Sequence, residues 1–359
     1  MEFAIEHNPA PVQAQDRTEL LRDPGFGKLF TDHMAVIPYD ADRGGWHDPV
    51  IRPRGPIQMD PASAVLHYAQ EIFEGMKAYR LGDGTTALFR PDANARRFQQ
   101  SAARLAMPSL PEELFLDSVL KLVDIDRDWI PDMEGGALYL RPFMFASEVF
   151  LGVKPAREYL YMVIASPVGA YFKGGAAPVT IWVSEDYTRA AIGGTGAAKC
   201  GGNYAASLVA QAEAIEQKCD QVVFLDAVER RWVEELGGMN LFFVFDDGSI
   251  VTPPLTGTIL PGITRDSIIQ LARDEGHEVR EERYGIDQWE ADANSGRLRE
   301  TLACGTAAVV TPVGTVKSRN GSFSIGGDQM GPITAKLRSR LVEIQRGTAA
   351  DPHGWVVRV

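Results

Sequence analysis

The chain has 359 residues, 45% hydrophobic and 23% charged, enough to bury a sizeable core and long enough for two domains. Its 36 basic and 48 acidic residues leave a net charge of −12, with no Lys/Arg-rich run carrying interleaved aromatics, so a nucleic acid is excluded as the expected partner. Three scattered cysteines and no Cys/His cluster at ligand spacing exclude a disulfide framework and a metal centre and read as reduced thiols.

Residues 1–28 are polar, contain proline and lack periodicity, which predicts an arm or a disordered lead-in. They carry neither a basic n-region nor an apolar h-region, and the longest apolar stretch, Tyr159 to Phe172, is broken by Pro167 and too short to span a bilayer. A cytoplasmic chain without membrane contact is therefore expected. A first, smaller α/β domain is expected over 29–170. In it "HMAVIPYD" and "DPVIRPRGPIQMD" read as strands, and Asp60-Pro61 followed by "ASAVLHYAQEIF" has the cap, N1 proline and apolar spacing of a helix leading into Glu74-Gly75. "MKAYRL" and "TTALF" flank a Gly-Asp-Gly hairpin signal, Pro91 opens a helix, and "GALYLRPFMFA" and "EYLYMVIASPV" are strands.

Gly and Pro cluster around 171–179, the expected interdomain linker, with a larger domain over 180–359. There strand "TIWVSED" leads to a Gly-rich stretch, helix "NYAASLVAQAEAIEQ", strands "QVVFLDA", "NLFFVF" and "SIVTPPL", helix "TRDSIIQLARDEG", and strands "HEVREER" and "AAVVTPVG". Strands and helices alternate, but hairpins are frequent, so the fold class is α+β with mixed sheets in both halves.

The Gly-rich stretch "GGTGAAKCGGNY" isolates Lys199 among small residues. It is not a phosphate-binding loop, because Ala198 and Cys200 replace the Gly and Ser/Thr that would flank the lysine. Nor is it a dinucleotide fingerprint, whose third glycine would fall on Lys199. A nucleotide-binding module is thus the disfavoured alternative from another class. Small neighbours instead let a planar cofactor approach the backbone while the ε-amine forms a Schiff base, which is pyridoxal phosphate chemistry. Pro261-Gly262 ahead of Ile263, Thr264 and a helical run places free amides at a helix N-terminus, an anion site. Tyr139 and Arg141, two apart in "LYLRPF", share a strand face, and a hydroxyl beside a guanidinium suits a carboxylate. Glu234 and Glu235 are neighbours in an extended segment, so only one can face a given ligand.

"GTGAAKCGGNYAASLVAQAEA", "VEELGGMNLFFV", "TPPLTGTILPGITRDSII" and "GTAAVVTPVG", with "HYAQEIFEGMKAYR", "NARRF" and "YLRPF" upstream, closely resemble the branched-chain aminotransferases among the fold-type IV pyridoxal phosphate (PLP) enzymes. The resemblance implies a two-domain fold like that of D-amino-acid aminotransferase. It also implies a homodimer, and exchange of amino groups between leucine, isoleucine or valine and 2-oxoglutarate. By it Lys199 holds PLP and moves the proton at Cα, Glu235 rather than Glu234 meets the pyridine nitrogen, and Tyr204 meets the phenolic oxygen. Arg97, Ile263, Thr264 and Thr306 would hold the phosphate. Ala307 offers an amide to the substrate carboxylate, and Tyr68, Phe73, Tyr139, Arg141, Tyr171 and Gly238 shape the substrate pocket. Animal members have a Cys-x-x-Cys pair at the positions of Ala308 and Thr311, and a threonine where Gly238 stands. The rivals on the same fold are a D-amino-acid aminotransferase and a 4-amino-4-deoxychorismate lyase, against which Tyr139-x-Arg141 and Glu-Gly-Met-Lys argue.

Overall fold

The computed structural model describes residues 1–169 and 177–359, which form two compact units. The first comprises Met1–Tyr171, Ala198–Gly201 and Ile344–Val359, and the second Phe172–Ala197 and Gly202–Glu343. The second unit is therefore not the unbroken run 180–359, since the lysine segment and the C-terminus pack with the first.

The first unit is built on strands β1 (Ala4–Ile5), β2 (His33–Asp40), β3 (Gly45–Trp46), β4 (Val50–Pro53), β5 (Glu71–Phe73), β6 (Met76–Arg80), β7 (Thr86–Phe89), β8 (Ala137–Ala146) and β9 (Glu158–Val168). Its helices are α1 (Ala14–Leu20), α2 (Val65–Tyr68), α3 (Pro91–Arg104) and α4 (Glu112–Ile125). The sheet runs β1-β4-β2-β9-β8-β6-β7 and ends on a strand from the C-terminus, Val356–Arg358, which pairs antiparallel with β7. Its core is aromatic: Phe98 of α3, Phe115 of α4 and Tyr161 of β9 meet at ring distances of 5.4–6.1 Å.

One expectation is corrected, and one is narrowed, since residues 1–28 are expected as an arm or a disordered lead-in. The helix predicted from 61 to 73 exists only as α2, because Ala69 turns left-handed at φ 48° and Glu71–Phe73 pair with Phe143–Phe145 as a strand. The expected lead-in is docked: Phe3 is buried, β1 runs parallel to β4, and the Asn8 amide donates to His33 Nε2 at 2.9 Å. Helix α4 is a further element, outside those expected from the sequence.

The second unit contains β10 (Val179–Ser184), β11 (Gln221–Leu225), β12 (Val233–Leu236), β13 (Asn240–Phe245), β14 (Ile250–Thr252), β15 (Val279–Glu281), β16 (Leu298–Gly305), β17 (Val309–Ser318) and β18 (Gly321–Ser324). Helices α5 (Gly201–Glu216), α6 (Ile263–Asp274), α7 (Ile286–Ser295) and α8 (Pro332–Gln345) accompany them. The sheet is mixed: β10 pairs parallel with β11 and β17, whereas β13 pairs antiparallel with β14 and β16. Phe243, Tyr284 and Trp289 form its aromatic centre. The α+β class with mixed sheets holds in both units.

Candidate active site

In the first unit the lysine segment is clamped by its backbone. The Lys199 amide donates to Ser101 Oγ of α3 at 2.9 Å, its carbonyl accepts the Phe73 amide at 3.0 Å, and the Gly201 amide donates to Glu71. Ala198 and Cys200 are buried in the core around α3 and α4, which explains the small residues on either side and gives Cys200 a packing role. The Lys199 amine lies 4.8 Å from the Phe73 ring centroid. Burial, reinforced by the Arg97 charge, pushes it down to about 8 from its usual 10.5. An amine so placed loses its proton around pH 8, well below the usual lysine range, and the unprotonated form is the one that attacks a carbonyl.

Alternation along β8 puts Tyr139 and Arg141 on one face, with Leu138 and Leu140 in the core. Arg141 Nη2 donates to the Tyr139 hydroxyl at 3.1 Å, and its guanidinium carbon stands 4.7 Å from the Phe73 ring centroid. Phe73 thus carries Lys199 and Arg141 on one ring. Arg141 Nε is buried with no hydrogen-bond partner among the described residues, a donor suited to an anion. Gly75 is required here, because a Cβ on it would collide with the Tyr139 hydroxyl.

Arg97 on α3 is buried, and Glu74 engages it twice, Nε to Oε1 at 2.7 Å and Nη2 to Oε2 at 2.8 Å. Asn94 Nδ2 also donates to Glu74 Oε2, at 2.7 Å. Arg96 instead pairs with Asp92 on the exposed face, so the structure separates the two adjacent arginines that composition could not. Tyr68 ends α2 and donates its hydroxyl to the Leu151 carbonyl, while Tyr171 lies outside the described residues.

In the second unit Glu235 is buried on β12. Its Oε1 accepts the Leu260 amide at 2.9 Å and meets Arg189 Nη1 at 2.8 Å. Arg189 also donates to the Thr258 carbonyl at 2.9 Å and to the Gly196 carbonyl at 3.3 Å. A carboxylate held by a guanidinium and an amide can keep its charge in a buried place. Glu234, its neighbour, accepts the Thr258 hydroxyl at 2.6 Å, and burial pushes its carboxyl up.

Helix α6 begins at Ile263 with no side-chain cap on its first-turn amides, and Thr264 is buried in that turn. Asn240, opposite Glu235 in register, braces the approach by donating to the Leu260 carbonyl at 3.1 Å. Thr306 and Ala307 form the tight turn between β16 and β17, where Gly305 pairs with Val309 and approaches the Gly238 carbonyl. Tyr204 of α5 borders Gly238, whose missing side chain would stand 3.8 Å from its ring. The structure therefore gathers Phe73, Arg97, Tyr139, Arg141 and Lys199 in the first unit, and Tyr204, Glu235, Gly238, Ile263, Thr264, Thr306 and Ala307 in the second.

Four contributors escaped the sequence reading: Glu74, Asn94, Arg189 and Asn240. Glu74 had a signal, its place in the Glu-Gly-Met-Lys stretch. Arg189 had none, since the carboxylate it pairs with lies 46 residues away along the chain.

Each unit holds donors that suit part of a PLP cofactor: in the first, an amine of lowered basicity suits an aldehyde, and in the second, a buried carboxylate suits a pyridinium and uncapped helix amides suit a phosphate. The sequence profile of the family described as Amino-transferase class IV matches residues 71–316. The chain is 56% identical to the branched-chain-amino-acid aminotransferase of Mycolicibacterium smegmatis, over 100% of this chain and 98% of that one. Among solved structures, the branched-chain amino acid aminotransferase of Escherichia coli superposes with a TM-score of 0.74 at 28% identity, covering 90% of this chain and 98% of that one. The T.th. branched-chain amino acid aminotransferase, solved with pyridoxamine 5'-phosphate, gives a TM-score of 0.73 at 30% identity, covering 90% and 98%. On these grounds the chain belongs to the class IV aminotransferases and, among them, to the branched-chain-amino-acid aminotransferases.

Proposed function

We propose that this chain transfers the amino group of leucine, isoleucine or valine to 2-oxoglutarate, giving the branched 2-oxo acid and L-glutamate with PLP as cofactor. The observation that carries this reading is the part-buried Lys199 amine, held at about 8 beside Phe73, with the Tyr139–Arg141 pair on the same ring. PLP, when bound, supplies the aldehyde that takes up the amino group and a ring that accepts electrons from Cα.

The remaining work falls to the chain's own groups. Lys199 holds the cofactor and, when released by substrate, takes and returns the proton at Cα. Glu235, fixed by Arg189 and the Leu260 amide, keeps the pyridine nitrogen protonated. Tyr204 meets the phenolic oxygen. Ile263 and Thr264 at the α6 N-terminus, Thr306 and Arg97 hold the phosphate. Because Glu74 neutralises Arg97, that guanidinium contributes directed donors more than net charge. The Ala307 amide takes the substrate α-carboxylate, and Phe73, Tyr68, Tyr171 and Gly238 shape the side-chain pocket.

Arg141 and Tyr139 serve dual recognition. An apolar pocket that accepts leucine would reject glutamate, whose distal carboxylate would be buried without a partner. Arg141 Nε, a buried donor without a protein acceptor among the described residues, pairs with that carboxylate and is idle when an aliphatic side chain is bound. The assembly proposed is a homodimer and the compartment the cytoplasm. No described helix is long and apolar enough to cross a membrane.

The test separates the two half-reactions by following bound cofactor between its aldehyde and amine forms. Arg141→Met is expected to cost about 2–4 kcal/mol in the glutamate half-reaction and much less in the leucine half-reaction. Equal losses in both would remove the dual-recognition role. Absence of 2-oxo acid from leucine in the native enzyme would remove the activity itself.

A further inference from the structure

A cavity of roughly 200 Å³ lies in the second unit on the flank of β12, and no residue assigned to cofactor or substrate lines it. Its walls include Ile192, Val228, Trp232, Glu234, Pro254 and Arg283. Two polar atoms of these residues are orphans. Glu234 is 7% exposed and gives Oε1 to the Thr258 hydroxyl, but its Oε2 is buried with no hydrogen-bond partner among the described residues. Trp232 Nε1 is a buried donor in the same condition. Native proteins rarely leave a carboxylate oxygen and an indole N–H buried and unmade in two residues that line one cavity, and a bound molecule that drew the two side chains toward it would satisfy both.

The chemistry of that molecule follows from the wall. Glu234 calls for a cation or strong donor. Trp232 Nε1, with the Arg283 guanidinium 5.6 Å from the same indole ring, calls for an anion or acceptor. Arg283 is held by Glu229 only loosely, at 3.6 Å, and both side chains are about half exposed. Pro254, Ile192 and Val228 supply apolar surface, the last two 73% and 81% exposed. The volume is below the ~300 Å³ at which pockets for drug-sized ligands begin, and equals the share of about seven waters.

We propose that this cavity is a second binding site for a small aliphatic α-amino acid, its ammonium on Glu234, its carboxylate on Trp232 Nε1 and Arg283, and its side chain against Pro254, Ile192 and Val228. Binding there does not depend on which reaction the chain catalyses.

The test uses the holoenzyme and 1-aminocyclopentane-1-carboxylate, a zwitterion with no hydrogen on Cα and therefore not transaminated. Calorimetric titration counts all binding, while the cofactor's visible absorbance reports the catalytic site. The expected result is one absorbance-silent equivalent per chain. Val228→Trp, at a solvent-exposed position where folding is not at risk, should plug the mouth and abolish it. Glu234→Gln should weaken it at least tenfold, and cyclopentanecarboxylate, which lacks the ammonium, should not compete. Absence of a silent equivalent, or its survival in both variants, overturns the proposal. Equal binding of cyclopentanecarboxylate overturns the amino-acid assignment. A change in the number of chains per particle on Val228→Trp, measured by light scattering, would make the cavity a contact between copies and likewise overturn it.

Discussion

Lys199 is costly where it sits. Its amine falls from 10.5 to about 8 in the folded chain, chiefly through burial, so between those values the unfolded chain holds a proton that the folded chain does not. Stability therefore rises with pH across that window, and the penalty, roughly 3 kcal/mol, is in full force below pH 8. Cofactor-free Lys199→Met should consequently melt several degrees above the cofactor-free native protein at pH 7, with the gap closing toward pH 10.5. Calorimetric melts at the two pH values check this, and a constant gap would remove burial of the charge as the cause. The same variant should lose all borohydride-trappable cofactor and all turnover. Arg189 has the opposite character, because it relieves a buried charge. Arg189→Met removes the guanidinium that compensates the buried Glu235 and should destabilise the protein by about 3 kcal/mol. It should also slow proton removal from Cα and shift the pH profile of single turnover, whereas loss of stability with an unchanged pH profile would leave Arg189 a packing role only. Glu235→Gln should slow the same step more than Glu234→Gln, and the reverse order would reassign the two glutamates.

Among the elements, α6 owes its position to a side chain on another strand. Asn240 of β13 reaches the Leu260 carbonyl, and Gly262 passes so close to Asn240 Oδ1 that a Cβ there would collide with it. Gly262→Ala should therefore push Asn240 off the Leu260 carbonyl and tilt the first turn of α6, costing about 1–3 kcal/mol. If that turn holds the cofactor phosphate, PLP should dissociate about tenfold faster from the variant, as followed by absorbance after dilution. Destabilisation without faster loss of PLP would take the phosphate away from α6. Gly196 is constrained in the same manner, since a Cβ would strike the Thr258 carbonyl that Arg189 also uses. Close backbone approach thus explains at least two of the glycines in these stretches.

At the scale of the molecule, the first unit is assembled from three separate pieces of chain. The closing piece adds the strand Val356–Arg358 against β7, the Trp355 carbonyl accepts the Arg90 amide at 2.7 Å, and the Trp355 and Phe89 rings meet edge to face at 5.6 Å. Deleting residues 354–359 exposes the edge of β7 and the left-handed cap of α3 at Arg90. The truncated protein should melt at least 5 °C lower, because an edge strand and a buried tryptophan are lost together. An unchanged melt would show that this piece is an appendage. The docked N-terminal arm belongs to the same account: Phe3 and β1 complete the opposite edge of the sheet.

The sequence by itself determined what short-range patterns can carry. Alternation in "LYLRPF" placed Tyr139 and Arg141 on one face of β8, the proline and glycine signals placed α3 and α6, and the order of the motifs around Lys199 pointed to the family. It could not decide between conformations that satisfy the same local pattern. The apolar spacing of 61–73 suits a helix, yet pairing of Glu71–Phe73 with Phe143–Phe145 across some seventy residues outweighs it and delivers Phe73 to Lys199. Polar composition left residues 1–28 open between an arm and a disordered lead-in, because the strand and the histidine that hold them lie farther along the chain. Glu74 with Arg97, and Arg189 with Glu235, are likewise pairs that only tertiary structure decided. A buried charge is stable only where a partner, an amide and a dry wall converge, and those come from distant segments whose meeting no local spacing encodes.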